Sequence, residues 1–235
     1  LDDDFGRIVD GVRLGRRIFE NLRKVLIYIA AIHVPVALLA LAPLLLGMPP
    51  MILPLHVVLI EMVVDPICSI AFENQPESRG LMQRGPRRSD EPLIGWRQLV
   101  LGVVLGLAVF AGCFVLYGWL IASGSSNDQA RTLAFVALTV GNLMLVRILA
   151  SNGFALSGLL GPGQLPFWAI TAVVTLVIGA CIGVPYLAEI FRFESPGMPA
   201  LLAAIGGSIG VMLVLDLIKR LPIVRRTLSV ASKTD

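Results

Sequence analysis

The chain has 235 residues, of which 56% are hydrophobic and 15% are charged, and its mean hydropathy is +0.84. Soluble globular domains are about 45–50% apolar and about 25% charged, so this composition excludes an ordinary soluble domain and predicts an integral membrane protein in contact with the lipid bilayer. The net charge of +3 gives no argument for a nucleic-acid partner, because the position of basic residues matters more than their sum.

Six apolar segments approach the roughly 20 residues that a helix needs to cross a bilayer. In chain order, we predict spanning helices over Val25–Leu46, Met51–Phe72, Leu99–Ala122, Thr132–Leu149, Pro166–Phe191 and Pro199–Ile218. The first span continues an amphipathic, arginine-rich stretch, Phe5–Lys24, which we predict to be a cytosolic stalk. The predicted fold class is therefore all-α: an integral membrane bundle of six transmembrane helices with a helical stalk at the N-terminus.

The spans divide the chain into five parts. We expect a stalk over 1–24, a first helix pair over 25–72, a cytosolic loop over 73–98, four further spans over 99–220, and a cytosolic tail over 221–235. The chain begins with leucine rather than methionine, and we expect it to be a fragment or a processed product.

Basic residues predict the orientation of the bundle. Of the 19 basic residues, 17 fall on one side of the predicted spans, and only Arg131 and Arg192 fall on the other. Cytoplasmic loops carry the excess of Lys and Arg in membrane proteins, so both termini are predicted to be cytoplasmic. An even number of spans places both termini on the same side of the membrane, in agreement with this prediction.

Two acidic residues lie inside the second span, and they are the strongest functional signal in the sequence. Glu61 and Asp65 are four residues apart and therefore share one face of a helix. A carboxylate at bilayer depth costs at least about 2.5 kcal/mol, and no Lys or Arg in the span neutralises either one. Pro66 follows directly and removes the N–H that would pair with the Met62 carbonyl. Two carboxylates and a freed carbonyl predict a site for a cation or for protons.

A histidine in the first span is predicted to lie beside these acids. The short hairpin over 47–50 makes the first two spans antiparallel neighbours, and it places His33 at the depth of Glu61. Pro35 also frees the carbonyl of Ala31 nearby. His33 is a ligand, a proton acceptor or a packing residue, and the sequence leaves these three roles open.

Weaker candidates lie elsewhere in the spans. Asn142 either lines the site or forms a hydrogen bond between helices. Cys68 follows Asp65 by three residues and would suit a soft metal, although a buried cysteine is more often a small apolar residue. The other two cysteines show no spacing typical of a disulfide or a structural metal site.

The last span carries two further features. Asp216 lies near its end and is expected to sit at the membrane interface beside basic residues. Gly206, Gly207 and Gly210 are expected to allow close approach of another helix.

Motifs for ATP chemistry are absent from the sequence. It contains no Gly-x4-Gly-Lys-Ser/Thr loop, no Asp-Lys-Thr-Gly phosphorylation sequence and no soluble segment large enough to bind a nucleotide. We therefore predict no catalytic residue and no cofactor site in this chain, which by itself cannot couple ATP to transport.

Three segments resemble P-type cation-transporting ATPases of the bacterial, type II-like kind. Residues 3–24 resemble the stretch that leaves the phosphorylation domain and enters the fifth membrane helix, typically D-D-x-F-x-x-I-V…G-R-x-I-Y-x-N-x-x-K. Residues 59–68, Leu-Ile-Glu-Met-Val-Val-Asp-Pro-Ile-Cys, resemble the sixth helix, and residues 72–88 resemble the F-x-x-x-P…M-x-R-x-P-R loop after it. Over 89–235 the likeness is one of topology, so the six spans correspond to helices five to ten.

The resemblance implies ligand roles for particular residues. Glu61 and Asp65 match positions that coordinate the cation on the sixth helix, and His33 falls where calcium pumps have an asparagine ligand. Three ligands of those pumps are missing here, at Val36, Val64 and Gly141. The resemblance therefore implies fewer cation sites than a two-calcium pump has, and it does not identify the ion as calcium.

The implied function is that of the C-terminal transmembrane part of an ATP-driven cation pump in a bacterial inner membrane. ATP and Mg²⁺ would act in cytosolic domains outside this chain, and the partners would be the N-terminal part of the pump and an inorganic cation or proton. Two alternatives stay open from the sequence: a stand-alone six-helix channel or proton-coupled carrier, and an inactive truncated fragment.

Overall fold

The computed structural model describes residues 5–73, 93–151, 154–156 and 164–219, together with 75, 77, 80–83 and 85. The 221–235 tail and part of the 73–98 loop lie outside these residues. All regular elements in the described part are helical, and six helices are long and apolar enough to cross a membrane. The predicted all-α membrane bundle is confirmed.

The helices follow the predicted order with boundaries shifted by a few residues. They are α1 Phe5–Leu45, α2 Pro54–Leu59, a π-helical turn Ile60–Val64, α3 Asp65–Glu73, α4 Trp96–Ala122, α5 Asn127–Ala150, α6 Leu165–Gly183, α7 Pro185–Phe191 and α8 Met198–Lys219. A short 3₁₀ turn occupies Leu81–Gln83. The second span is therefore α2, the π turn and α3 in direct succession, and the fifth is divided between α6 and α7.

A proline divides the predicted fifth span. Val184 has extended backbone angles, φ −89° and ψ 115°, as expected for a residue that precedes proline. The shorter helix α7 ends at Phe191, and the next residue, Arg192, adopts the left-handed conformation, while the Phe193 N–H donates to the Ala188 carbonyl at 2.8 Å. This pattern closes α7 as a Schellman-type turn.

Helix α5 is the centre of the bundle. Every residue from Ala130 to Ala150 is buried except Val140, and the helix packs against α1, α3, α4, α6 and α8. Gly141 on α5 lies against Val109 of α4, in agreement with a packing role. Since α5 has no lipid-facing stripe, its polar side chains are enclosed by protein.

Helices α1 and α4 approach each other most closely at two glycines of α4. A Cβ atom on Gly102 or Gly106 would lie under 3.0 Å from the carbonyl oxygen of Ile27 or Ala31, respectively. This is a Gly-x-x-x-Gly contact, which lets two helix backbones meet in a membrane.

The predicted close approach at the glycines of α8 was wrong within the described part of the chain. A methyl group added to Gly206, Gly207 or Gly210 would have no atom of a neighbouring element within 4 Å. Instead, Ser208 makes the polar contact of this helix with α5, where its hydroxyl donates to the Ala137 carbonyl at 2.8 Å.

Side chains in the N-terminal half of α1 form hydrogen bonds with the segment that connects the second and third spans. Arg16 donates to the Leu81 carbonyl at 3.0 Å, Asn21 to that of Gln75 at 3.2 Å, and Arg23 to that of Leu93 at 3.1 Å. These side chains fix the described part of the 73–98 connection along α1. The prediction that this half of α1 is a cytosolic stalk stays a prediction.

Candidate cation site

The helix that carries Glu61 and Asp65 changes its hydrogen-bond register at the site. The Asp65 N–H donates to the Ile60 carbonyl, five residues earlier, rather than to Glu61. Pro66 has no N–H to offer Met62. The carbonyls of Glu61 and Met62 therefore both lose their usual α-helical donor, and the structure adds the Glu61 oxygen to the one predicted from the sequence. π-helical turns of this kind occur frequently at functional sites.

Only the backbone of Met62 is a candidate ligand. Its side chain is 73% exposed, so the thioether points away from the protein interior. The carbonyl oxygen, in contrast, belongs to the turn between the two acidic residues.

His33 and Glu61 meet as the hairpin geometry predicted. His33 Nε2 lies 3.4 Å from Glu61 Oε2, and His33 Nδ1 lies 2.8 Å from the Ile29 carbonyl oxygen. A carbonyl only accepts hydrogen bonds, so Nδ1 must carry a proton. The contact between Nε2 and the carboxyl group is then favourable when one further proton lies on either His33 or Glu61. His33 can therefore balance the charge of Glu61.

Asp65 is buried without a hydrogen-bond partner. Its exposed fraction is 7%, and neither carboxylate oxygen has a donor within hydrogen-bond distance. Glu61 and His33 are the charged groups that act on it. A buried carboxyl with no partner is costly unless it binds a cation or holds a proton, so Asp65 has the chemistry of a cation-binding or proton-binding group.

Tyr28 and Cys68 flank Asp65 and are both completely buried. The Tyr28 ring packs against Phe72 with 5.5 Å between the ring centroids. The Tyr28 hydroxyl, like both oxygens of Asp65, is buried without a hydrogen-bond partner. Sequence reasoning missed Tyr28; the available signal was its position three residues before Ala31, on the same face of α1.

The other two predicted ligands are placed differently. The Ala31 carbonyl lies against Gly106 of α4, so the oxygen freed by Pro35 faces a neighbouring helix backbone. Asn142 is completely buried in α5, and its amide oxygen and nitrogen form no hydrogen bond, including none with Glu61 or Asp65. The structure thus brings His33, Glu61 and Asp65 together but does not join Ala31 or Asn142 to them.

A preassembled metal cage is not found in the part of the chain that the structure describes. No group of three or more His, Cys, Asp or Glu side chains there has an arrangement that could hold a metal ion. The ligand roles assigned from the sequence therefore stay predictions.

Asp216 has a structural role that the sequence did not reveal. It is 1% exposed and therefore enclosed by protein, and its Oδ2 accepts the Ala155 N–H at 2.9 Å. On the other side of Ala155, Arg147 Nη2 donates to the carbonyl at 2.8 Å, while its Nη1 donates to Gln164 at 2.7 Å. The two charged side chains hold the segment after α5 and lie apart from the cation site.

Comparison with known proteins agrees with these features. The profile of the family described as "Cation transporting ATPase, C-terminus" matches residues 49–221. A calcium-transporting ATPase of Bacillus subtilis is 29% identical over 151 residues, which cover 62% of this chain and 16% of that protein. A probable cation-transporting ATPase F of Mycobacterium tuberculosis is 30% identical over 162 residues, which cover 66% of this chain and 18% of that protein.

A cation-transporting ATPase of Synechocystis, pma1, is 26% identical over 184 residues, which cover 78% of this chain and 20% of that protein. The chain thus spans about a fifth or less of the length of these relatives. Since the family profile covers most of the chain and the bundle has the expected helices, the chain belongs to the P-type cation-transporting ATPases, as their C-terminal membrane region.

Proposed function

We propose that this chain forms the C-terminal membrane part of an ATP-driven cation pump and that Glu61 and Asp65 coordinate the transported cation. The observation that carries the proposal is the buried, unpartnered carboxyl of Asp65, next to a π-helical turn and within range of a second carboxyl group. Acidic side chains at membrane depth are costly, and they usually belong to transport pathways. The carbonyls of Glu61 and Met62 would supply further oxygen ligands.

His33 would act as the charge partner of Glu61 when the cation is absent. Its contact with Glu61 supports this role. Asn142 would contribute an amide oxygen from α5 after a shift of the helices, and its unpartnered amide supports that possibility. Ala31 has the weakest support, because its carbonyl faces α4.

The orientation and location are part of the same proposal. Helix α1 has 41 residues and is therefore about 60 Å long, twice the hydrocarbon thickness of about 30 Å. We place its basic N-terminal half in the cytoplasm, as a stalk toward the domains that bind ATP and Mg²⁺. The membrane would be the bacterial inner membrane, and the remaining partner would be the N-terminal part of the pump.

A channel or carrier is the competing function, and passive flux separates it from the pump. If the chain alone were a channel, its reconstitution into vesicles would make them permeable to cations. The family match favours the pump, in which this region supplies only part of the pathway, so we expect no such flux.

The direct test of the site removes each carboxylate in the full-length pump. Asp65→Asn and Glu61→Gln keep the side-chain shape and remove the negative charge. For Asp65→Asn we expect cation affinity, measured by cation-stimulated phosphorylation and by uptake, to fall about 30-fold or more, since loss of one charged partner at a buried site costs at least about 2 kcal/mol. We expect a smaller loss for Glu61→Gln, because the Glu61 side chain is 34% exposed. Glu189→Gln is the matched control, because Glu189 is an exposed acid on α7. Unchanged affinity in Asp65→Asn at normal expression would refute the site.

A further inference from the structure

A second histidine lies in the same span as Glu61, five residues before it, and the proposed cation site does not use it. His56 is completely buried near the start of α2. Its Nδ1 lies 3.1 Å from the Leu53 nitrogen, and its Nε2 lies 2.7 Å from the Phe191 carbonyl oxygen. One imidazole therefore joins the first turn of α2 to the last residue of α7, although 135 positions separate the two residues in the sequence.

These two contacts determine the protonation state of the ring. A backbone N–H only donates and a carbonyl only accepts, so Nδ1 must carry a lone pair and Nε2 must carry the proton. The imidazole is neutral in this arrangement. A second proton on Nδ1 would point at the Leu53 N–H and remove the acceptor for this group at the helix N-terminus.

The surroundings do not compensate for a positive charge on His56. Its ring stacks on Phe193 at 4.8 Å between centroids with an angle of 3°, and it also packs against Phe135 and Phe191. The charged group that acts on it from α5 is the cation Arg131, which is 4% exposed.

The nearby carboxylates are engaged elsewhere or exposed. Asp128 forms an ion pair with Arg131, and the Glu194 carboxylate accepts the hydroxyl of Ser126. Glu189 of α7 is exposed. Arg192 lies beside Phe191 in the same segment, and its carbonyl accepts from Arg131 at 3.1 Å. None of the described carboxylates forms an ion pair with His56, so the closed arrangement has no counter-ion for an imidazolium.

We propose that His56 is an acid-sensitive latch that ties α2 to the end of α7 when neutral and releases it when protonated. The inference stands independently of the proposed cation site. In the open form the two hydrogen bonds of His56 are broken, and this form binds a proton more readily than the closed form. The latch is therefore stable at neutral pH and weakens as the pH falls below about 6.5, the ordinary pKa of histidine. Below that pH, the open fraction increases by up to about tenfold per pH unit. The π turn begins four residues after His56, so opening would loosen the helix that carries Glu61.

Hydrogen–deuterium exchange of the full chain in nanodiscs tests the latch. Exchange of the peptides covering 51–58 and 190–194 is compared at pH 7.5 and 5.0, after correction for the intrinsic dependence of exchange on pH. We expect at least about tenfold faster opening at pH 5.0 in the wild type. His56→Gln keeps an acceptor and a donor but does not titrate, so its corrected exchange should be independent of pH.

The chain offers a matched control, because it contains only two histidines. His33→Gln should retain the pH response of the wild type at these peptides. The latch is refuted if the wild type shows no pH response there, or if His56→Gln shows the same response as the wild type.

A second measurement keeps the proposal testable if His56→Gln does not fold. In the His33→Gln protein, His56 is the remaining histidine. The ¹⁵N NMR signals of isotope-labelled histidine therefore come from His56 and need no resonance assignment. We expect an unprotonated Nδ1 and a protonated Nε2 at pH 7.5. An imidazolium signal at pH 7.5 would overturn the proposal.

Discussion

Asp65 and Asp216 show that the burial of an acidic residue does not by itself indicate its role. Both are nearly inaccessible, at 7% and 1% exposure. Asp216 accepts a backbone N–H, whereas both oxygens of Asp65 lack a donor. Buried polar groups in folded proteins are almost always satisfied, so an exception requires an explanation. Asp65 is such an exception, and the cation or proton that we propose to bind there would account for it.

The sequence leads to a hypothesis for Asp65 but not to the hydrogen bond of Asp216, for a physical reason. The site around Asp65 is built largely from residues within one or two helical turns, including Glu61 and Pro66, and helical spacing makes such neighbours visible. The partner of Asp216 is Ala155, 61 positions away in a connecting segment. Only the packing of α5 against α8 brings them together, and no periodicity in the sequence reports it.

Substitutions of the two acids should affect stability differently. Asp216→Ala leaves the buried Ala155 N–H without an acceptor and should lower the free energy of unfolding by about 1–3 kcal/mol. Asp65→Asn removes an unpaired buried charge and should leave this free energy unchanged or raise it. Both effects can be measured by detergent-driven unfolding followed by circular dichroism.

The exposed Glu189 supplies the control for this comparison. Glu189→Ala should change the unfolding free energy by no more than about 0.5 kcal/mol, as expected for a surface position. If Asp65→Asn destabilises the protein as much as Asp216→Ala does, Asp65 is a structural residue and its proposed role is wrong.

At the scale of whole helices, three prolines in predicted spans have three different effects. Pro35 lies inside the continuous helix α1, Pro66 follows a π-helical turn, and Pro185 begins a new helix. The sequence predicts that each proline removes one helical donor. It does not predict whether the helix continues, changes its hydrogen bonding or ends at the proline, because that depends on neighbouring helices. The Ala31 carbonyl that Pro35 leaves without a donor, for example, lies against Gly106 of α4.

The contact between α1 and α4 should be sensitive to a single methyl group. Gly106→Ala places a Cβ under 3.0 Å from the Ala31 carbonyl oxygen and from Val34 Cβ, so the two helices must separate. We expect the free energy of unfolding to fall by about 1–3 kcal/mol, as for other overpacked positions. The same unfolding assay measures it.

Gly179→Ala on α6 is the matched control for that substitution. No atom of a neighbouring element lies within 4 Å of its added methyl group, and alanine favours a helix over glycine by about 1 kcal/mol. Its stability should therefore stay the same or increase. Equal destabilisation by both alanines would mean that the Gly-x-x-x-Gly contact does not hold α1 against α4.

At the scale of the whole molecule, the central helix combines several polar side chains with nearly complete burial. Helix α5 is less apolar than α4, yet it is far more buried. Its enclosed side chains include two arginines, two threonines and an asparagine: Arg131, Thr132, Thr139, Asn142 and Arg147. Polar groups in a membrane need partners from the protein, whereas apolar surfaces can face lipid. The second span is even less apolar than α5 and is only about half as buried, so polar content alone would not have placed α5 at the centre.

The orientation of the bundle can be tested at two exposed positions. Gly15 lies in the basic half of α1, where an added side chain would meet no neighbouring atom, and Asn127 is exposed at the start of α5. In intact cells, an impermeant thiol reagent should label Asn127→Cys and spare Gly15→Cys until the membrane is permeabilised, because basic residues face the cytoplasm. The native cysteines Cys68, Cys113 and Cys181 are buried and should give little background. Labelling of Gly15→Cys from outside would reverse the proposed orientation.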